Sequence, residues 1–374
     1  MPKKQVPTHS RIDLLDAWRF IAIVMVISCH LAYHPAFSAH FSTPALSVFQ
    51  SHGRVGVLIF FFISGYVVSR ASLAEIAARG RFSIAAFYIR RFFRITPPIM
   101  LYLVTCLALG WLGIIPFDIG DFWAASLYLC NTGIECGWFV EHTWSLAFEE
   151  QFYLVFPLLF CWIQLKQTPW RPWALVAGCL FLVPAVFPRM GLNPFVQAHF
   201  LFLSGYLCAR SEARIQEYIR RHAALIFSAA TALVLFPYSL FVESNVAWFR
   251  IIFTLAIPPM VMASLLLGPA ATRWIRNPAL LHIGKISYSI YLWQQLATYT
   301  GYHNDTLAAE IIRILVLLPF AALLYKYFEQ PLVRLGRRHS DRLLAGKGRS
   351  LVRRPGSAKP SGEPGPENSP AQRW

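Results

Sequence analysis

The chain has 374 residues, of which 56% are hydrophobic and 14% charged, and its mean hydropathy is +0.48. Soluble domains carry about 25% charged residues, so this composition excludes an ordinary water-soluble core and makes lipid the expected solvent. The net charge is +16, from 34 Lys and Arg against 18 Asp and Glu. The basic residues lie between apolar stretches, which favours topology control and anionic lipid or ligand contact over nucleic-acid binding.

The first apolar run, near residues 17–33, follows Lys3, Lys4 and Arg11 as a signal peptide would. Asp16, Arg19 and His30 interrupt it, so it reads as a first membrane helix. Further runs of spanning length lie near 54–70, 95–115, 143–164, 172–188, 195–210, 222–241, 248–267, 283–301 and 308–328. The expected fold class is an all-α integral membrane protein, a bundle of about ten transmembrane helices. Loop charge supports and orients that count. Loop 71–94 carries Arg79, Arg81, Arg90, Arg91 and Arg94, and Lys166, Arg171, Arg214, Arg220, Arg221, Arg273 and Arg276 fall in later loops of the same parity. The alternate loop 116–142 holds Asp118, Asp121, Glu135 and Glu141 with no Lys or Arg. The bias places both termini in the cytoplasm. Residues 1–338 then form the membrane domain, and 339–374, rich in Pro, Gly, Ser and Arg, form a disordered basic cytoplasmic tail.

Five cysteines, Cys29, Cys106, Cys161, Cys179 and Cys208, lie in apolar runs and read as packing residues. Cys130 and Cys136 flank a short polar stretch and can pair in an oxidising compartment; the sequence leaves that open. No cysteine spacing resembles a zinc site. A weak echo relates Phe62-Ile-Ser64-Gly65-Tyr66 with Arg70 to Phe202-Leu-Ser204-Gly205-Tyr206 with Arg210. Shared packing chemistry explains it more simply than duplication, since Gly lets helices approach and Arg snorkels to the inner surface.

Ionisable groups inside a membrane are costly, at least about 2.5 kcal/mol each on insertion scales, and each is a functional candidate. In the first span Asp16 and Arg19 are three residues apart and can pair. Arg19 and His30 are eleven apart, on one helical face and roughly 16 Å along the axis. In the fourth span, His142-Thr-Trp-Ser145-Leu-Ala-Phe-Glu149-Glu150-Gln-Phe-Tyr153 places Ser145, Glu149 and Tyr153 on one face. The inferred topology brings His30, Glu149 and Glu150 to similar depth in the outer half, with one of the two acids facing a shared cavity. A carboxylate beside an imidazole suits general-base chemistry. Arg90, Arg91 and Arg94 at the inner entrance of the third span offer bidentate donors to phosphate. The bland readings are interfacial anchoring for the arginines and Asp16, and an interhelix hydrogen bond for His30.

The motif order resembles the acyltransferase-3 family of bacterial membrane O-acyltransferases, from residue 11 to about residue 335. The carriers are RIDLLDAWRFIAIVMVISCH, FFFISGYVVSR, FYIRRFFRITPP, HTWSLAFEEQFYLVFP, ISYSIYLWQQ and KYFEQPLVR. The resemblance implies transfer of an acyl group, often acetyl, from acyl-CoA to a hydroxyl, commonly of a sugar or surface glycan, at the bacterial inner membrane. Residue by residue it maps Arg19 and His30 onto the functional first-helix pair and Arg90, Arg91 and Arg94 onto the basic motif. Glu149, Glu150 and Glu329 fall on its acids, and Trp144, Ser145 and Tyr153 within its fourth-helix motif. Gln294 and Leu296 stand where the family often has His and Pro, which leaves His30 as the base. Catalytic roles are thus expected for His30, Glu149 and Glu150, and acyl-CoA contacts for Arg19, Arg90, Arg91 and Arg94. Asp16, Trp144, Ser145, Tyr153 and Glu329 are expected as substrate-binding or structural residues. No metal and no nucleic acid is expected. The competing readings are a transporter, a non-catalytic scaffold, or an acyltransferase with a small macrolide-like acceptor.

Overall fold

The computed structural model describes residues 8–39, 43–165, 194–241, 247–302 and 306–345. They are helical, with no strand among them. The helices of eight residues or more begin with α1 (Thr8–Leu31), α2 (Thr43–Arg79), α3 (Ile84–Trp111), α4 (Ile119–Ser126) and α5 (Thr143–Leu165). They continue with α6 (Pro194–Arg210), α7 (Glu212–Ile219), α8 (Ala223–Phe241), α9 (Ala247–Ser264), α10 (Pro278–Lys285), α11 (Ser287–Ala297), α12 (Leu307–Leu324) and α13 (Gln330–Ala345). A π-helical turn, Tyr325–Glu329, joins the last two without a break.

Among the described residues, five stretches are long and apolar enough to cross a membrane: Asp13–Leu31, His52–Arg79, Ile84–Trp111, Trp138–Gln164 and Leu307–Ala345. Helices α6, α8, α9 and α11 coincide with four more of the apolar runs. The run 172–188, with Cys179, lies outside the described residues.

Three boundaries differ from expectation. Most of the loop expected at 71–94 is helix, because Ala71–Arg79 is rich in helix formers, and Glu75 ties its end to the next helix by accepting from the Ser83 N–H and from Arg90. Gly80, at φ +68°, ends α2, and Ser83 restarts the chain by accepting the Ala86 N–H at 3.3 Å. At the other end, residues 339–345, expected in the tail, belong to α13. Gly336, Ser340 and Leu344 recur every four residues and are buried, which gives this segment a packing face against α3. Residues 346–374 lie outside the described residues. The expected loop 116–142 contains α4, capped by Asp118, and a disulfide joining Cys130 to Cys136. Asp121 Oδ1 accepts the Gly137 N–H at 2.8 Å. Burial raises the Asp121 carboxyl above its ordinary range, and the Gly137 amide partly offsets this.

The two Ser-Gly-Tyr segments pack on each other where α2 crosses α6. A Cβ on Gly65 would fall 2.6 Å from Phe202 Cα, and one on Gly205 would fall 2.8 Å from the Gly65 carbonyl carbon. The helices touch by backbone, as small-residue crossings in membranes do. Around them Phe61, Phe152, Phe156, Phe160 and Phe202 are buried together, with the Phe152 and Phe202 rings stacked at 4.3 Å. α1 packs along α2 and against α10, and α13 packs along α3. These contacts leave a cavity between α1, α2, α3, α5, α10 and α11.

Candidate active site

The cavity has about 920 Å³ of empty space, its open mouth included. α1 supplies Arg19, α2 Ser64, α3 Arg91 and Arg94, α5 Ser145, Glu149 and Tyr153, and the α10–α11 junction Lys285, Ser287, Tyr288 and Tyr291. The four-residue spacing of Ser145, Glu149 and Tyr153 lays all three along one wall.

Four cations thus line one cavity. Arg19 Nη1 donates to Asp16 Oδ1 at 2.8 Å, and buried Asp16 has its backbone against Gly284 of α10, where a Cβ would meet the Asp16 carbonyl carbon at 2.7 Å. That contact pins Arg19 to the junction carrying Lys285. The Arg91 guanidinium lies over the Tyr153 ring, 5.0 Å from its centroid, and within electrostatic range of Glu149. Arg91, Arg94 and Lys285 make no ion pair among the described residues, and Arg94 and Lys285 are exposed at the mouth. Four cations against one lining carboxylate, Glu149, favour an anionic ligand.

Glu149 accepts hydrogen bonds from Ser64, at 2.6 Å, and from Tyr153. Both donors lock the carboxylate into the wall. Ser145 Oγ and Tyr291 Oη are 2.6 Å apart, and Tyr291 Oη donates to the His142 carbonyl at 2.7 Å. The Tyr288 hydroxyl donates to the Ile95 carbonyl at 3.0 Å.

Other expected site residues sit elsewhere. Arg90 is tied into the scaffold: Nη2 meets Glu75 Oε2 at 2.7 Å and Nη1 donates to Ser340 at 2.7 Å. Glu150 does not line the cavity, and its Oε1 is buried without a hydrogen-bond partner. Glu329 accepts from Ser289 and lies within electrostatic range of Arg94. Trp144 packs edge-on against Phe61 and Phe148. His30 makes no hydrogen bond or ion pair with Glu149 or Glu150. Its ring meets Trp138 edge-on at 5.6 Å, and its titratable neighbour is His142. Arg91, Arg94 and Glu149 line one cavity, because α3 and α5 flank the same opening.

Sequence reasoning missed Lys285, Tyr288, Tyr291 and Ser64 as cavity residues, and His142 as the neighbour of His30. Lys285 and Tyr288 lie within or beside the ISYSIYLWQQ motif, so the signal was present. Nothing local tells which tyrosine of that motif faces inward.

A family described as an acyltransferase domain matches residues 12–326. The chain is 31% identical to acyltransferase MdmB of Streptomyces mycarofaciens over 212 residues, 52% of this chain and 49% of that protein. It is 24% identical to peptidoglycan O-acetyltransferase OatA of Listeria monocytogenes over 380 residues, 89% of this chain and 58% of that protein. The chain spans about half the length of the curated relatives it matches. No solved structure matches it significantly.

Proposed function

The chain belongs to the acyltransferase-3 family, and on that premise we propose that it is a bacterial inner-membrane O-acyltransferase moving an acetyl group from acetyl-CoA to a glycan hydroxyl. The observation that carries this reading is the cavity in which Arg19, Arg91, Arg94 and Lys285 surround a single lining carboxylate, Glu149. Coenzyme A is polyanionic at its phosphates and reactive at the far end of a long arm. A cationic mouth with a Ser and Tyr interior suits that asymmetry.

In the proposed mechanism the phosphates rest on Arg94 and Lys285 at the mouth, with Arg91 and Arg19 inside. Tyr153 and Ser64 hold Glu149, and Glu149 holds Arg91 toward the donor. The thioester extends toward Ser145 and Tyr291. His30 removes the acceptor hydroxyl proton as the oxygen attacks the thioester carbonyl. The new ester C–O bond forms, the C–S bond breaks, and the proton passes to the departing thiolate. Ten spans with cytoplasmic termini would put the Arg-lined mouth on the coenzyme side and deliver the acceptor from outside. The similarity to the peptidoglycan O-acetyltransferase of Listeria supports a glycan acceptor.

The test is radiolabelled acetyl transfer by purified protein. Unmodified chain should acetylate an isolated peptidoglycan or polysaccharide fraction, and His30→Ala should abolish transfer while inserting normally. Full activity in that variant would remove His30 from the mechanism.

A further inference from the structure

Behind Tyr291, the described residues gather buried polar atoms around His30 that the mechanism above leaves without a role. His142 is 4% exposed. Its ring approaches the Leu292 backbone, yet neither nitrogen completes a well-formed hydrogen bond. Gln294 is fully buried, and neither its amide nitrogen nor its amide oxygen has a partner. Gln295 donates Nε2 to the Trp138 carbonyl at 2.8 Å and leaves Oε1 unpaired. His30 Nδ1 is buried and unpaired too.

These groups share one neighbourhood. Tyr291, Gln294 and Gln295 are spaced i, i+3 and i+4, so they fall on one side of α11. The His142 ring lies 5.3 Å from the Tyr291 ring and 5.8 Å from the Tyr102 ring. Trp138 joins the set from the other side: its ring meets His30, and its Nε1 donates to the Gln295 carbonyl at 3.2 Å. Two imidazoles and two carboxamides are thus held among Trp138, Tyr291 and Tyr102. Folded chains rarely leave one such atom unpaired, and several in one place need an explanation. A ligand that brings oxygen atoms satisfies them at once.

We propose that His142 is a second catalytic imidazole, which with Gln294 contacts the thioester carbonyl oxygen while His30 takes the acceptor proton. The proposal rests on the acyltransferase reading. The acceptor O–H proton goes to His30. Meanwhile His142 and the Gln294 amide donate N–H bonds to the thioester carbonyl oxygen as negative charge builds on it. When the C–S bond breaks, the carbonyl reforms, and His30 returns its proton to sulfur. Donors aimed at developing charge in a site without water are an effective form of catalysis. Tyr291 and Ser145 then stand between the donor cavity and this buried polar cluster.

The test uses His142→Phe, which keeps the ring packing against Tyr102 and Tyr291 and removes both nitrogens, beside Gln294→Leu. The full chain in detergent is assayed for coenzyme A binding, thermal unfolding and, with the isolated peptidoglycan or polysaccharide fraction supplied as acceptor, thiol release from acetyl-CoA. His142→Phe should bind coenzyme A as the unmodified chain does and unfold at the same temperature or higher. It should release thiol slower by on the order of 10²-fold or more. Wild-type turnover in His142→Phe overturns the proposal. Early unfolding of both variants overturns it as well, since the polar atoms would then have had partners within the fold. Absence of thiol release by the unmodified chain, with both variants as stable as it is, sinks the acyltransferase reading and the proposal with it.

Discussion

Arg90, Arg91 and Arg94 read as one basic motif, yet the structure gives them different work, and replacing each separately exposes this. Arg90 spans Glu75 and Ser340, each at 2.7 Å. Its side chain is 29% exposed and that of Glu75 is 8% exposed. Breaking a fully buried pair from one side costs about 3–5 kcal/mol, and partial exposure of Arg90 reduces this to roughly 2 kcal/mol. The lost bond to Ser340 adds about 1 kcal/mol. Arg90→Ala should therefore destabilise the fold by roughly 3 kcal/mol, about a hundredfold in the folded ratio. Glu75→Gln placed in the same chain should recover part of the loss, because the stranded charge disappears. Arg91→Ala forfeits a cation–π contact worth about 1 kcal/mol or less, so its fold should persist while KM for acetyl-CoA rises about tenfold. The assay is the folded fraction after graded heating or denaturing detergent, beside steady-state kinetics on the surviving protein. If Arg90→Ala keeps wild-type stability and raises KM as Arg91→Ala does, Arg90 contacts the donor and the reasoning fails.

Two further substitutions probe the scaffold. Gly65→Ala places a methyl against the Phe202 backbone; α2 and α6 must separate, at a cost of about 1–3 kcal/mol, and an unchanged unfolding temperature would show that the crossing is looser than described. Replacing Cys130 and Cys136 by Ser opens a short loop whose closure is worth about 2 kcal/mol; amide exchange in residues 127–137 should quicken, while unaltered exchange would mean that the disulfide does not order this segment.

Much of the site was legible because helix periodicity is rigid. Ser145, Glu149 and Tyr153 could be assigned to one face from spacing alone, and the pairing of Asp16 with Arg19 follows from three-residue separation. Contacts between distant elements were not legible. Arg90 could not be told from Arg91, because its partner Glu75 sits across a turn that reads as open loop. His30 was matched with Glu149 by depth. Depth fixes only one coordinate, and the helix entry at His142 occupies the neighbouring position around the bundle. Lys285 lies inside the apolar run 283–301 and drew no reading of its own; the close approach at Gly284 brings its junction to Arg19. The Ser-Gly-Tyr echo was correctly read as packing chemistry, although nothing in either copy says that its counterpart is the other.

The π turn at Tyr325–Glu329 has a consequence for how the last rod of the protein repeats. Leu317 and Gly336 are nineteen residues apart, as are Ala321 and Ser340, and all four are buried. In an uninterrupted α-helix, positions nineteen apart point about 100° away from each other. The wider turn absorbs about one residue of rotation, which brings the two pairs back into phase. One continuous inward edge then runs from the apolar half of the rod to the arginine-rich half. Loss of a single residue within 325–329 would leave the pairs eighteen apart and in phase on a plain α-helix, with Ser340 still on Arg90 and Gly336 on Phe93; tightening the turn to α-helix with all five residues kept would instead swing both away, a rotational slip rather than a break.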